Sequence, residues 1–148
     1  MKNPQTLAME LYNHFPSKNL KAIKDYGCCA FVLLWCLHIE PESDVDAILI
    51  LDDLIRKKAI KDDCTVKWAD AIKSLIGRPM ESIKFIDTND ISNIRERTPV
   101  RFDYNGKSHW VGVENGKVAF NPLIFSNCVS YGKPGTKRVI KIKGVESL

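Results

Sequence analysis

The stretch Asp25-Tyr26-Gly27-Cys28-Cys29-Ala30-Phe31-Val32-Leu33-Leu34-Trp35-Cys36-Leu37 is the longest nearly uncharged apolar run of the chain. A helix that is apolar on every side is a buried one, so this run predicts a central helix from about Cys28 to His38, stopping before Glu40-Pro41. Gly27 reads as the turn into it. Cys28 then lies at the helix N-terminus, where unpaired backbone N–H groups and the positive end of the helix dipole stabilise a thiolate. Successive helical residues point about 100° apart, so Cys28 and Cys29 cannot both face one partner. Cys28 is nearest the free N–H groups, whereas Cys29 shares a face with Leu33 and Cys36 and is expected in the core.

A second stretch completes the pattern. Ser108-His109-Trp110-Val111-Gly112-Val113-Glu114-Asn115-Gly116-Lys117-Val118-Ala119-Phe120-Asn121-Pro122 alternates apolar and polar residues around Asn-Gly, a strong hairpin signal. Register decides whether His109 and Asn121 share a face. A two-residue loop at Asn115-Gly116 pairs Val113 with Val118 and sets His109 opposite Pro122. A three-residue loop, Glu114-Asn115-Gly116, pairs Val113 with Lys117 and sets His109 opposite Asn121. A functional role for the pair calls for the second register.

The remaining sequence supplies the frame. With 148 residues and 45% hydrophobic content, the chain is expected to fold as a single domain over 1–148. Asn3-Pro4 opens a first amphipathic helix that ends before Pro16, and Ser17 to Lys24 reads as a polar approach to the central helix. Ser43 caps a helix carrying Val45, Ile48, Leu51, Leu54 and Ile55, and Val66 to Ile76 forms another, closed by Gly77. The period then changes from helical to alternating. Strands are expected at Ile83–Ile86, Val100–Asp103, His109–Val113, Lys117–Phe120 and Arg138–Ile142, with a short helix or turn over Asp90–Arg97. Helices first and an antiparallel sheet second make an α+β fold.

Net charge is +4, from 22 basic and 18 acidic residues, with a basic cluster at Lys133, Lys137, Arg138, Lys141 and Lys143. Such a run reads as a solvated strand face rather than a nucleic-acid footprint. Five cysteines, at 28, 29, 36, 64 and 128, with no apolar leader, point to a reducing, cytoplasmic compartment. No run reaches the roughly 18 apolar residues of a membrane span, so no membrane contact is expected. Cys36 and Cys64 read as packing residues, Cys128 as an exposed loop thiol, and His14 takes no role. Cys28, Cys29, Cys36 and His38 lack Cys-x-x-Cys spacing, and no glycine-rich phosphate loop is present, so neither metal nor cofactor is expected.

A cysteine nucleophile needs a base, and the base needs a group to hold its ring and tautomer. Cys28, His109 and Asn121 can fill these roles in that order. Pairing with His109 would keep the Cys28 thiolate reactive down to about pH 6. Each residue also has an ordinary reading: a small buried thiol, a buried strand histidine and a strand end.

The matches Tyr26-Gly27-Cys28, Pro99-Val100, Ser108-His109-Trp110-Val111 and Phe120-Asn121-Pro122 resemble the papain-like cysteine peptidases, most closely the bacteriocin-processing, double-glycine type. They cover most of Asp25 to Pro122. The chain is also similar to uncharacterised spirochaete and phage proteins that share the Tyr-Gly-Cys start and an Asp-Cys-x-Val string, here Asp63-Cys64-Thr65-Val66. The resemblance implies a papain-like fold and a cysteine peptidase or amide-bond hydrolase with a Cys28-His109-Asn121 triad, acting through a thioester on a peptide or protein substrate. Two positions depart from the family. Asn121 stands where the double-glycine type usually carries Asp. The family's oxyanion glutamine, a few residues before the nucleophile, has no counterpart; the chain's only glutamine is Gln5, and Asn19 is a substitute to consider. That departure implies an alternative, a catalytically weak or inactive papain-like domain that binds a peptide or protein. A third possibility is an acyl acceptor other than water, which would make it a transferase. The residues set neither substrate identity nor oligomeric state.

Overall fold

The computed structural model describes residues 1–145 as an α+β fold with six helices and one five-stranded antiparallel sheet. The helices are α1 (Pro4–His14), α2 (Lys18–Tyr26), α3 (Cys28–Cys36), α4 (Asp44–Arg56), α5 (Trp68–Ile76) and α6 (Asn127–Tyr131). The strands are β1 (Met80–Asp87), β2 (Thr98–Tyr104), β3 (Lys107–Glu114), β4 (Lys117–Phe120) and β5 (Lys133–Ile142), in spatial order β1-β5-β2-β3-β4. Among the described residues, no helix is long and apolar enough to cross a membrane.

Helix boundaries follow local chemistry. Ser17 and Ser43 accept from the N–H groups of Leu20 and Asp46, capping α2 and α4. Gly77 closes α5 at φ 69°, the left-handed conformation a Cβ disfavours. The polar approach expected over Ser17 to Lys24 is instead α2: Ile23 buries one face against the core while its charges face solvent. The short α6 was not expected from the sequence either. It places Cys128 in a buried position, where a loop thiol at the surface was expected.

Two cores flank the sheet. The larger joins α3, α4 and α5 with Phe120 and Ile142, and contains all of Phe31 to Leu34. The smaller lies on the other face and holds Ile94, Val100, Phe102, Val111, Val113 and Cys128. Strand alternation explains the division. Directly paired residues share a face, and Val100 pairs with Val111 and Phe102 with His109, whereas Arg101 pairs with Trp110 and Pro99 with Gly112. Trp110 and Gly112 therefore face the helices. A methyl built on Gly112 would fall 2.4 Å from the Trp35 ring, so the absence of a side chain lets α3 lie close on β3. Trp35 also stacks on Phe120 with ring centres 6.0 Å apart, and the Arg97 guanidinium covers it at 4.5 Å.

Gly112→Ala is expected to destabilise the protein by about 1–3 kcal/mol, the usual cost of overpacking a core. Equilibrium denaturation should show a lower midpoint at unchanged slope. Gly106→Ala, at φ +74° with open space around it, is the control: it carries only backbone strain of about 1–2 kcal/mol.

Candidate active site

Gly27 separates α2 from α3. A Cβ there would sit 2.5 Å from the Ile23 carbonyl oxygen and 3.2 Å from the Phe31 ring, so the two helices can meet this closely only at glycine. The backbone ladder runs from the Gly27 N–H to Ile23 O at 2.9 Å and resumes with Phe31 N–H to Gly27 O at 3.0 Å. The N–H groups of residues 28 to 30 are the first-turn donors of α3, and Cys28 stands at that first position as expected. Lys24 O, one turn earlier, accepts instead from the Gln5 side-chain amide at 2.9 Å.

The hairpin corrects the expected register. Asn115 and Gly116 have φ of 52° and 74° and form a two-residue loop, so Glu114 pairs with Lys117 and Val113 with Val118. Gly112 then pairs with Phe120, leaving Ala119 as a bulged extra residue. That one-residue slip reverses the alternation and returns Asn121 to the face of Val111 and His109. The expected three-residue loop is absent, yet its result is reached: His109 Nε2 lies 2.7 Å from Asn121 Oδ1. Tyr104-Asn105-Gly106-Lys107 repeats the two-residue turn between β2 and β3.

The Asn121 oxygen also accepts from the Leu123 N–H at 3.0 Å, which fixes which end of the amide is oxygen. An amide oxygen only accepts, so His109 must carry its proton on Nε2 and leave Nδ1 as the basic nitrogen. His109 is 4% exposed. Burial holds its imidazolium below the usual range, while the bond to Asn121 opposes that shift.

The start of α1 grips the same segment. Asn3 Nδ2 donates to Asn121 O at 3.0 Å, and the N–H groups of Gln5 and Thr6 donate to Pro122 O at 3.0 and 3.4 Å. The Thr6 hydroxyl accepts from the Ile124 N–H at 3.0 Å. Asn3 thus holds the Asn121 backbone rather than capping its own helix with its side chain. In the sequence Asn3 reads as a helix cap and Thr6 as part of an amphipathic helix, with no sign of their contacts to residues 121–124. Asn19 is not available to an oxyanion, since its side chain donates to Asp52 at 2.9 Å. Gln5, 3% exposed, spends its amide N–H on Lys24 and leaves its oxygen buried without a partner.

Cys28 approaches β3 at its outer edge. Because β4 pairs with β3 only over Gly112 to Glu114, the edge of β3 near Trp110 is free. The backbone N–H groups of Trp110, Cys29 and Cys28 itself lie near enough to the Cys28 sulfur to act on its titration. These donors favour the thiolate, but burial is the larger effect and pushes the Cys28 thiol up. A reactive thiolate at about pH 6, expected from pairing with His109, therefore does not fit the resting site. Among the described residues, no hydrogen bond joins Cys28 to His109. The histidine leaves β3 on the face opposite Trp110 and Gly112, and Cys28 lines a cavity with Ser108 and Trp110 whose lining does not include His109. The structure thus forms the His109–Asn121 half of the constellation and brings Cys28 to the residue next to His109.

Cys29 departs from expectation. Like Cys28 it is only partly buried and lines the same cavity, although burial raises its thiol well above the ordinary value. Cys36 and Cys64 are buried as expected, and burial pushes Cys64 up to about 12. All five cysteines are free. Among the described residues, no group of three or more His, Cys, Asp or Glu side chains is placed to hold a metal ion.

Two outcomes follow from these shifts. A depressed histidine pKa contributes stability that is complete above the unfolded value of about 6.5 and is lost as pH falls toward the folded value, because the unfolded chain binds the proton first. Stability measured by urea unfolding should therefore decline below about pH 6.5, and His109→Gln should flatten that part of the curve. In the resting protein, alkylation of Cys28 should still be rising above about pH 8.5, as followed by peptide mapping. A rate already maximal near neutrality would show a preformed ion pair.

Compared with protein-family models, with curated proteins and with solved structures, the chain shows no match.

Proposed function

We propose that the chain is a papain-like cysteine peptidase or related amide-bond hydrolase in which Cys28 is the nucleophile, His109 the base and Asn121 the residue that orients it. The observation that carries this reading is the buried bond from His109 Nε2 to the Asn121 oxygen, which leaves Nδ1 as the unprotonated nitrogen on the residue next to Trp110. The resting pair is a neutral thiol and a neutral imidazole, each favoured by burial. Reaction then begins with transfer of the thiol proton to Nδ1 as sulfur attacks the carbonyl carbon. The tetrahedral oxyanion is met by backbone N–H groups at the start of α3 and at Trp110, in place of a glutamine side chain. His109 next protonates the leaving amine, giving a thioester that water hydrolyses with the same histidine as base. The sequence requires Nδ1 to reach the sulfur around the free edge of β3. Catalytic hydrogen bonds are often long in an unliganded enzyme and tighten with substrate.

A specific observation favours a second reading, a papain-like domain that binds a peptide or protein without cleaving it. The thiol and imidazole form no hydrogen bond, and burial raises the Cys28 pKa. The two readings part on covalent trapping. A peptidyl epoxide should add once to the native protein by intact mass, Cys28→Ala should abolish the adduct, and His109→Ala should slow it by about a hundredfold or more, the scale of a general base. Folded protein that forms no adduct would leave the binding reading.

The α1 clamp makes a further outcome. Thr6→Val together with Asn3→Ala removes two side-chain contacts to the 121–124 segment. The double variant should remain folded, yet label with the epoxide several-fold more slowly, as adduct formation over time would show.

A further inference from the structure

Arg138 belongs to the basic cluster of β5 that the sequence presents as a solvated strand face, but its setting is different. Its guanidinium lies over the Phe85 ring at 3.9 Å and near the Trp110 ring at 4.9 Å, held between strands β1 and β3 on the helix-facing side of the sheet. One terminal nitrogen donates to the Thr136 hydroxyl at 2.9 Å, whereas Nε is buried without a partner. Among the described residues no carboxylate pairs with Arg138. Asp87 and Arg101 are close enough to act on its charge in opposite senses.

This arginine lines a cavity of about 570 Å³ together with Cys28, Cys29, Trp68 and Trp110. That size is in the range of small-ligand sites. Trp68 and Trp110 meet edge to face with centres 6.5 Å apart and form an aromatic wall. The cavity's two carboxylates already have donors. Asp25 is bound by Lys21 at 2.8 Å and Lys24 at 2.6 Å, and Asp63 accepts from the Thr65 N–H at 3.0 Å. The unsatisfied charge in the cavity is therefore positive. It sits on a planar group fixed by two rings, so little rotamer freedom is lost when it binds.

We propose that this cavity is a substrate subsite in which Arg138 receives a carboxylate of the peptide whose amide Cys28 attacks. The inference rests on the hydrolase reading for its purpose, but not for its test. The guanidinium supplies donors in a fork that matches a carboxylate, and the tryptophans cover the apolar part of the residue that carries it. The carboxylate is either the chain terminus or an acidic side chain; both present the same two oxygens.

Binding to the Cys28→Ala protein tests this without turnover, with the indole N–H signals of Trp68 and Trp110 followed by NMR. Acetyl-Ala-Ala with a free carboxylate should shift both signals, and its C-terminal amide should bind about tenfold or more weakly, the value of a charge-assisted hydrogen bond. Acetyl-Glu-Ala amide separates the sources: binding as tight as that of the free acid assigns the site to a side-chain carboxylate, and weak binding assigns it to the chain terminus. Arg138→Gln should erase the preference for the acid. Should that variant fail to fold, the comparison of acid and amide on the unchanged arginine still decides. Equal binding of acid and amide without tighter binding of the glutamyl peptide, or no shift with any of the peptides, overturns the proposal. An epoxide adduct on the native protein without a carboxylate preference would leave the hydrolase reading standing and remove this subsite. A carboxylate preference without an adduct would do the reverse.

Discussion

The flat contact between Trp35 and the bare backbone at Gly112 sets the distance between the central helix and the sheet, and most other features depend on it. A side chain at position 112 would lift α3 off β3. With the contact made, Trp35 also packs on Phe120, the last residue of β4, and is covered by Arg97, which donates to the Trp35 carbonyl at 2.9 Å. The two turns of helix from Trp35 back to Cys28 then bring the cysteine to the cavity it lines with Trp110. Packing at one end of the helix thus fixes the position of the thiol at the other. Because cores are close-packed, such a fit transmits displacement with little loss.

Much of this was readable from residue pattern. The uniformly apolar run from Cys28, the capping serines, the Gly77 stop and the two Asn-Gly turns correspond to features whose physics is local, and the elements appear where that physics puts them. Three features depended on contacts distant in sequence. The helix over Lys18 to Tyr26 shows only one buried residue, Ile23, so its apolar period is faint and its reason for existing is the neighbouring helices. Ala119 is an ordinary strand residue in sequence, and nothing local marks it as the bulge that turns Asn121 toward His109. Cys128 reads as polar loop because the core it enters is assembled from strands β2 and β3.

The candidate site divides along the same line. The order of Cys28, His109 and Asn121 was legible, as was the position of the thiol at a helix start. The electrostatics were not, because burial is a property of the assembled molecule. A helix N-terminus and nearby N–H groups favour a thiolate, yet desolvation outweighs them. The role of α1 was equally hidden: Asn3, Gln5 and Thr6 reach residues more than a hundred positions away, or the last turn of α2. The one glutamine of the chain donates to the last turn of the helix that leads to the cysteine.

The strand order has a consequence for how the molecule is made. β1 is hydrogen-bonded along its length to β5, and β5 also pairs with β2, so the final strand is inserted between two that precede it in the chain. A polypeptide emerging from the ribosome holds β1 without a partner until Lys133–Ile142 has been synthesised. During that interval Phe85 and Ile86 lie on an open strand edge, the arrangement most prone to pair with another chain. Closure of such a sequence-distant pair is slow relative to helix formation. The helical layer can form first and wait, and Ile142 completes its core only when the sheet closes.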